Sequence, residues 1–238
     1  MLSGMDTSGH TCSLRSRGRV TRLAVLILLL APHAARAQDP VPATATNRRA
    51  AEAVRNSLTV IGTATFANGS IRGDAFDRHL ILTGIRYGRL LVSNGVFALN
   101  YTAELIPGAW LSQPILGEHH EAVQRRIPAF THTETTFGAG ANPVGVELML
   151  RPDRKLQPLI ATDEGFLYFS RNVPSVSAAR FNFTVDVRLG LRVRLEHGQA
   201  LSLEYSYHHL SNGYRAAENP GVDSQMFCFG YLKALTGS

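Results

Sequence analysis

Cysteines, long apolar runs and a strong charge surplus are all scarce in this chain, and each shortage removes a class of answer. Among 238 residues the only cysteines are Cys12 and Cys228, and Cys12 falls in a stretch with the pattern of a cleaved leader. A single remaining thiol forms no internal disulfide, so backbone pairing must hold the mature chain together. After residue 37 no continuous apolar run approaches the roughly 20 residues of a membrane helix. The formal charge of +6 is also largely a property of the leader. Removing residues 1–37 takes away five arginines and one aspartate, which leaves +2 and little reason to expect a nucleic-acid partner.

The leader itself is legible. Arg15, Arg17, Arg19 and Arg22 make a basic n-region, Leu23 to Leu30 an apolar h-region, and Ala35-Arg36-Ala37 a small-x-small cleavage pattern. The expected organisation is a signal peptide over 1–37, a polar lead-in over 38–56 and a barrel over 57–238. Met5 is an alternative start.

Beyond the leader, apolar and polar residues alternate with period two. In 181–195 the odd positions run Phe181, Phe183, Val185, Val187, Leu189, Leu191, Val193 and Leu195. The even positions include Asn182, Asp186, Arg188, Arg192 and Arg194. Successive strand side chains point to opposite faces, so this segment has one apolar wall and one charged wall. A soluble sandwich strand alternates in the same way. The segment's length suits a tilted membrane strand, however, and mixed charges suit the packed interior of a small barrel.

Eight such segments are expected, at 57–67, 77–88, 95–106, 137–151, 156–169, 180–195, 199–210 and 224–235. The predicted fold is therefore all-β, an eight-stranded antiparallel transmembrane β-barrel. With the N-terminus in the periplasm, the periplasmic connections 89–94, 152–155 and 196–198 are short. The outer connections 68–76, 107–136, 170–179 and 211–223 are longer, as in bacterial outer-membrane barrels. Two features fit less well. Leu80 and Leu82 oppose Ile81 and Ile85, which leaves the facing of the second strand open. The chain also ends on Thr236-Gly237-Ser238 rather than on an aromatic residue.

The seventh segment, Leu201 to Ser211, carries the chemistry. Its odd face reads Leu201, Leu203, Tyr205, Tyr207, His209, Ser211, and the apolar residues on it must meet lipid. Positions i and i+2 lie roughly 6–7 Å apart at Cα on one face, within reach of an imidazole for a hydroxyl. Asp223 is in phase with Phe227, Phe229 and Tyr231 on the next strand, and a hairpin through 212–222 brings it beside His209. A serine nucleophile needs a base, and the base needs an acceptor to fix its tautomer. Ser211, His209 and Asp223 supply those types. The loop from Asn212-Gly213 to Asn219-Pro220-Gly221 can offer oxyanion donors, the Asn219 amide among them. Taken alone, a His-x-Ser pair is more often an ordinary solvated strand end, and Asn-Gly and Asn-Pro-Gly are common turns.

The full string His209-Leu210-Ser211-Asn212 … Asn219-Pro220-Gly221-Val222-Asp223 resembles the active-site hairpin of the lipid A 3-O-deacylase family, also called acyloxyacyl hydrolases. Members are eight-stranded outer-membrane barrels with a His-x-Ser-Asn motif entering the last hairpin. An asparagine and an acid follow at fixed spacing. The resemblance implies a triad of His209, Ser211 and Asp223, with Asn212 and Asn219 bordering the oxyanion site. It also implies lipid A of lipopolysaccharide as substrate, an outer-membrane location and no cofactor. The family's best-known members place glutamate where this chain has Asp223, one methylene shorter.

Other clusters carry less. His119, His120 and Glu121 with His132 and Glu134 show no diagnostic metal spacing. Gly138 to Gly145 lacks the lysine and helix onset of a phosphate loop, and its small residues fit a bend or tight packing in a strand. Trp110, Tyr87 and Tyr101 suit interfacial belts. Arg171 and Arg215 fall in the outer connections, within range of lipid A phosphates, although exposed arginines are common and the pair is not assigned to the site. The competing readings are a non-catalytic structural or adhesive barrel and a soluble periplasmic ligand-binding barrel.

Overall fold

A computed structural model of the chain describes residues 55–69, 71–73, 77–116 and 130–235. The expected leader, most of the lead-in and His119 to Glu121 lie outside the described residues. Eight strands follow one another: β1 (Asn56–Gly69), β2 (His79–Ser93), β3 (Phe97–Leu116), β4 (Phe130–Leu150), β5 (Leu156–Val173), β6 (Ala179–Arg194), β7 (Gln199–Ser211) and β8 (Val222–Leu235). Each pairs antiparallel with its neighbour, and β8 returns to β1 from Asn56↔Leu235 to Gly69↔Asp223, closing a barrel. Closure leaves no open strand edge, the condition for a sheet to stand in hydrocarbon.

The alternation fixes which wall is which. On β6, Val185, Val187, Leu189 and Leu191 are exposed on the outside, while Thr184, Asp186, Arg188 and Arg192 are buried inside. The outward belt continues through Val60, Ile81, Leu105, Val146, Ile160, Leu203 and Phe229. In water this continuous apolar surface would be unfavourable, whereas in a membrane it faces acyl chains. A soluble ligand-binding barrel is therefore the wrong reading.

The lumen is filled rather than open. Arg86 Nε meets Glu104 at 3.0 Å, and Arg86 Nη1 lies 3.4 Å from Glu204. Arg188 bridges Asp163 and Glu204 at 2.5 Å each, and Arg192 reaches Glu147 at 2.7 Å. The cavity beside this network, between Thr63, Arg86, Glu104 and Asp186, is about 10 Å³, room for no more than one water molecule. Toward the long-loop end the interior turns apolar, with Leu80, Leu82, Ile106, Leu167, Phe169 and Met226 in one buried cluster. That cluster settles the facing of β2. Leu80 and Leu82 point inward, 1% and 5% exposed, whereas Ile81 and Ile85 face out, 49% and 45% exposed.

The largest departure from expectation is the β3–β4 hairpin. Residues 107–116 and 130–136, expected as loop, extend both strands. Pro107 and Gly108 look like a turn in sequence, but they sit where the register shifts between Ile106 and Ala109, and β4 has its own shift between Ala141 and Val144. A bulge tolerates a residue without an N–H and lets the strand continue beyond it. The connections at one end, 94–96, 151–155 and 195–198, remain short beside 70–78, 117–129 and 212–221 at the other. Only 174–178 is a short connection at the long-loop end.

Glu204 is the shared acceptor of the internal network. Glu204→Leu is expected to destabilise the barrel by about 3–5 kcal/mol, because it deprives two buried guanidinium groups of a partner. Urea titration of the micelle-refolded protein tests this, and an unshifted midpoint would count against it.

Candidate active site

Strand β7 presents Leu201, Leu203, Tyr205, Tyr207, His209 and Ser211 outward, while Ser202, Glu204, Ser206 and His208 are buried in the lumen. The β7–β8 register sets His209 directly opposite Asp223. His209 Nδ1 lies 2.6 Å from Asp223 Oδ1, short enough for a charge-assisted hydrogen bond. With Nδ1–H donating to the carboxylate, Nε2 keeps its lone pair, which is the tautomer a general base requires.

Asp223 points outward by register, yet it is fully buried. The segment after β1 covers it, and its Oδ2 accepts the backbone N–H groups of Arg72 at 2.7 Å and Gly73 at 2.9 Å. Nothing in the sequence pattern nominated these two residues, which stand 151 and 150 positions away along the chain. The missing methylene at position 223 leaves no gap in reach. The imidazole side is partly open, with 19% of the His209 side chain exposed.

Ser211 is half-buried at the end of β7, opposite Phe183 of β6. It shares the outward face with His209, one strand repeat away, without a hydrogen bond between them. The loop beyond is held by its asparagines. The Asn212 backbone N–H donates to Asn219 Oδ1 at 2.8 Å, and Asn212 Nδ2 donates to the Glu218 carbonyl at 2.6 Å. Both Asn212 donors are thus committed to loop shape, while the Asn219 side-chain NH₂ has no partner among the described residues. Gly221, at φ +65°, turns the chain into β8 beside the ring.

A row of aromatic rings borders the serine. Phe166 stacks on Phe181 at 5.5 Å, Phe181 meets Phe183 edge-on at 5.1 Å, and the Arg215 guanidinium lies 4.7 Å over Phe183. Arg171, by contrast, is engaged by Glu134. Among the described residues no cluster of three metal-ligating side chains occurs.

With this geometry in place, comparison with known proteins is decisive for the family. Residues 95–232, from the β2–β3 turn into β8, match the family described as Lipid A 3-O-deacylase (PagL). The chain belongs to that family. Among solved structures, the crystal structure of the outer membrane enzyme PagL superposes with a TM-score of 0.51 at 14% identity, covering 74% of this chain and 99% of that one. At that identity the likeness speaks for the fold. An outer membrane channel from Pseudomonas putida F1 aligns at a TM-score of only 0.26 and 9% identity, over 76% of this chain and 96% of that one, too low for a shared fold. No curated protein matches the sequence. Membership of the lipid A 3-O-deacylase family, together with the closed barrel, points to the outer membrane and to hydrolysis of lipid A.

Gly221→Ala tests how tightly the hairpin turn holds the ring. A Cβ there would lie 3.2 Å from His209 Cε1, at a φ that costs a non-glycine residue about 1–2 kcal/mol. The expected outcome is a small loss of stability with a displaced His209 Nδ1 proton resonance in micelle NMR. An unmoved resonance would show that the turn does not constrain the imidazole.

Proposed function

We propose that this protein hydrolyses the ester-linked 3-hydroxyacyl chain at the 3 position of lipid A through a serine acyl-enzyme. The observation that carries the reading is the His209–Asp223 pair, 2.6 Å apart on the lipid-facing wall, one strand repeat from Ser211. In a family that deacylates lipid A, these are the side-chain types acyl transfer requires, on the side of the barrel that lipid reaches laterally.

Ser211 Oγ attacks the ester carbonyl carbon while His209 Nε2 takes its proton. Asp223 holds the ring and stabilises the imidazolium that forms. The Asn219 side-chain NH₂ donates to the tetrahedral oxyanion, and Asn212 sets the loop that presents it. Collapse breaks the bond between the acyl carbon and the sugar 3-oxygen, which leaves with the proton from His209. Water then attacks the acyl-enzyme, gives a proton to His209 and releases a 3-hydroxy fatty acid. Ser211 regains its proton in that step. Ser211 and His209, which share no hydrogen bond in this structure, close on each other when substrate is seated, since catalytic hydrogen bonds commonly tighten only in the complex. Phe166, Phe181 and Phe183 offer the acyl chain an apolar wall. Arg215, poised on two of those rings, supplies a cation for a lipid phosphate.

Ser211→Ala is expected to reduce turnover by about ten-thousand-fold or more while the barrel still assembles. Mass spectrometry of lipid A from a host producing each version reads this out. The native sequence should yield a species lacking one 3-hydroxyacyl group, and the alanine variant should leave lipid A intact. Trimming by both, or by neither, would overturn the assignment.

A further inference from the structure

We infer that the β1–β2 loop is a positioning element for this reaction, clamping Asp223 through the Arg72 and Gly73 amides so that the short acid meets His209. The inference rests on the triad reading above and goes beyond it. Residues 72 and 73 lie outside the 95–232 stretch that matches the family.

The two carboxylate oxygens divide their duties. Oδ1 faces His209 Nδ1, and Oδ2 accepts both loop amides, at 2.7 and 2.9 Å. Three N–H donors around one carboxylate fix its plane as well as its position. Backbone amides suit this task, because they cannot rotate away as side-chain donors can. The acid lies close at hand: Gly69↔Asp223 is the last pair of the β1–β8 ladder, and the amides of Arg72 and Gly73 meet the carboxylate directly.

Residue 73 has to be glycine for the amide to come so close. A Cβ built there would lie 2.8 Å from Asp223 N and 3.1 Å from Cγ and Oδ1, and the first of those is a contact that real Cβ atoms essentially never make. Gly221 meets the same point from the other side, since its own Cβ would sit 3.3 Å from Gly73 Cα. Two loops therefore close, glycine against glycine, over the His209–Asp223 pair. That closure explains how an outward-pointing aspartate is fully buried. Burial strengthens the ion–dipole contacts and keeps water from competing for the carboxylate. Gly73 and Arg72 touch the acid rather than the reacting atoms, so they act through His209.

The test compares Gly73→Ala with the native protein in detergent micelles, using lipid A as substrate. Gly95→Ala serves as the control, since a Cβ there meets nothing within 4 Å. Gly73→Ala is expected to lower kcat about 10- to 100-fold, the scale of a small misplacement of a catalytic group. KM should stay within about twofold, because the acyl wall and Arg215 are untouched. The deshielded Nδ1 proton of His209 should weaken or move upfield in NMR, a change that a purely structural role of the loop would not produce. A native kcat, or a raised KM at native kcat, would overturn the inference. If Gly73→Ala does not fold, Arg72→Pro, which deletes one donor, decides on the same three readouts. Ser211→Ala, run in parallel, separates the two levels of argument. Turnover by that variant sinks the triad reading itself. An inert Ser211→Ala beside an unimpaired Gly73→Ala sinks only the role of the loop.

Discussion

Two consecutive histidines on β7 show what the whole molecule depends on. His208 lies inside the barrel, its Nδ1 3.0 Å from Asp186, and His209 lies outside, against Asp223. Each has an aspartate partner, and only the alternation of a strand sends one to the lumen and the other to the lipid side. A register slip of one residue would exchange them, placing the proposed base among buried salt bridges and Glu204 against hydrocarbon. Barrel closure forbids that slip, because β8 must satisfy β7 on one edge and β1 on the other.

The interior keeps the outer wall in place. Arg86 and Arg188 tie β2, β3, β5, β6 and β7 together through Glu104, Asp163 and Glu204. Leu210 and Val222 back the site directly from inside, paired with each other and buried in the apolar cluster. The proposed machinery thus stands on strand ends with a packed lumen behind them, rather than on free loops. Such support allows hydrogen-bond geometry to be held to the tolerance that catalysis needs. The loops then add what strands cannot supply: an asparagine NH₂ at Asn219, a sharp turn at Gly221 and two amides over Asp223.

Much of this was legible in one dimension. The apolar odd face of 181–195 announced an outer wall, and the in-phase placement of His209, Ser211 and Asp223 announced that all three share it. A hairpin between adjacent strands is a local event, so its register follows from spacing. Where the pattern was mixed, as at Leu80 and Ile81, the sequence offered two apolar faces. The choice required knowing that the lumen changes from charged to apolar along its length. The strand end expected at 106 fell short for a different reason, since Pro107 and Gly108 follow it directly. Their local turn chemistry is real, but inter-strand pairing on both sides absorbed them as a bulge.

The sequence by itself determined strand number, the two-sided character of each strand and the placement of His209, Ser211 and Asp223 on one outward face, because period-two patterning and short hairpins are properties of neighbouring residues. Only the tertiary structure decided how the acid is held. The Arg72 and Gly73 amides reach Asp223 because closing the barrel brings β1 beside β8. No periodicity encodes a backbone contact between segments at opposite ends of the chain.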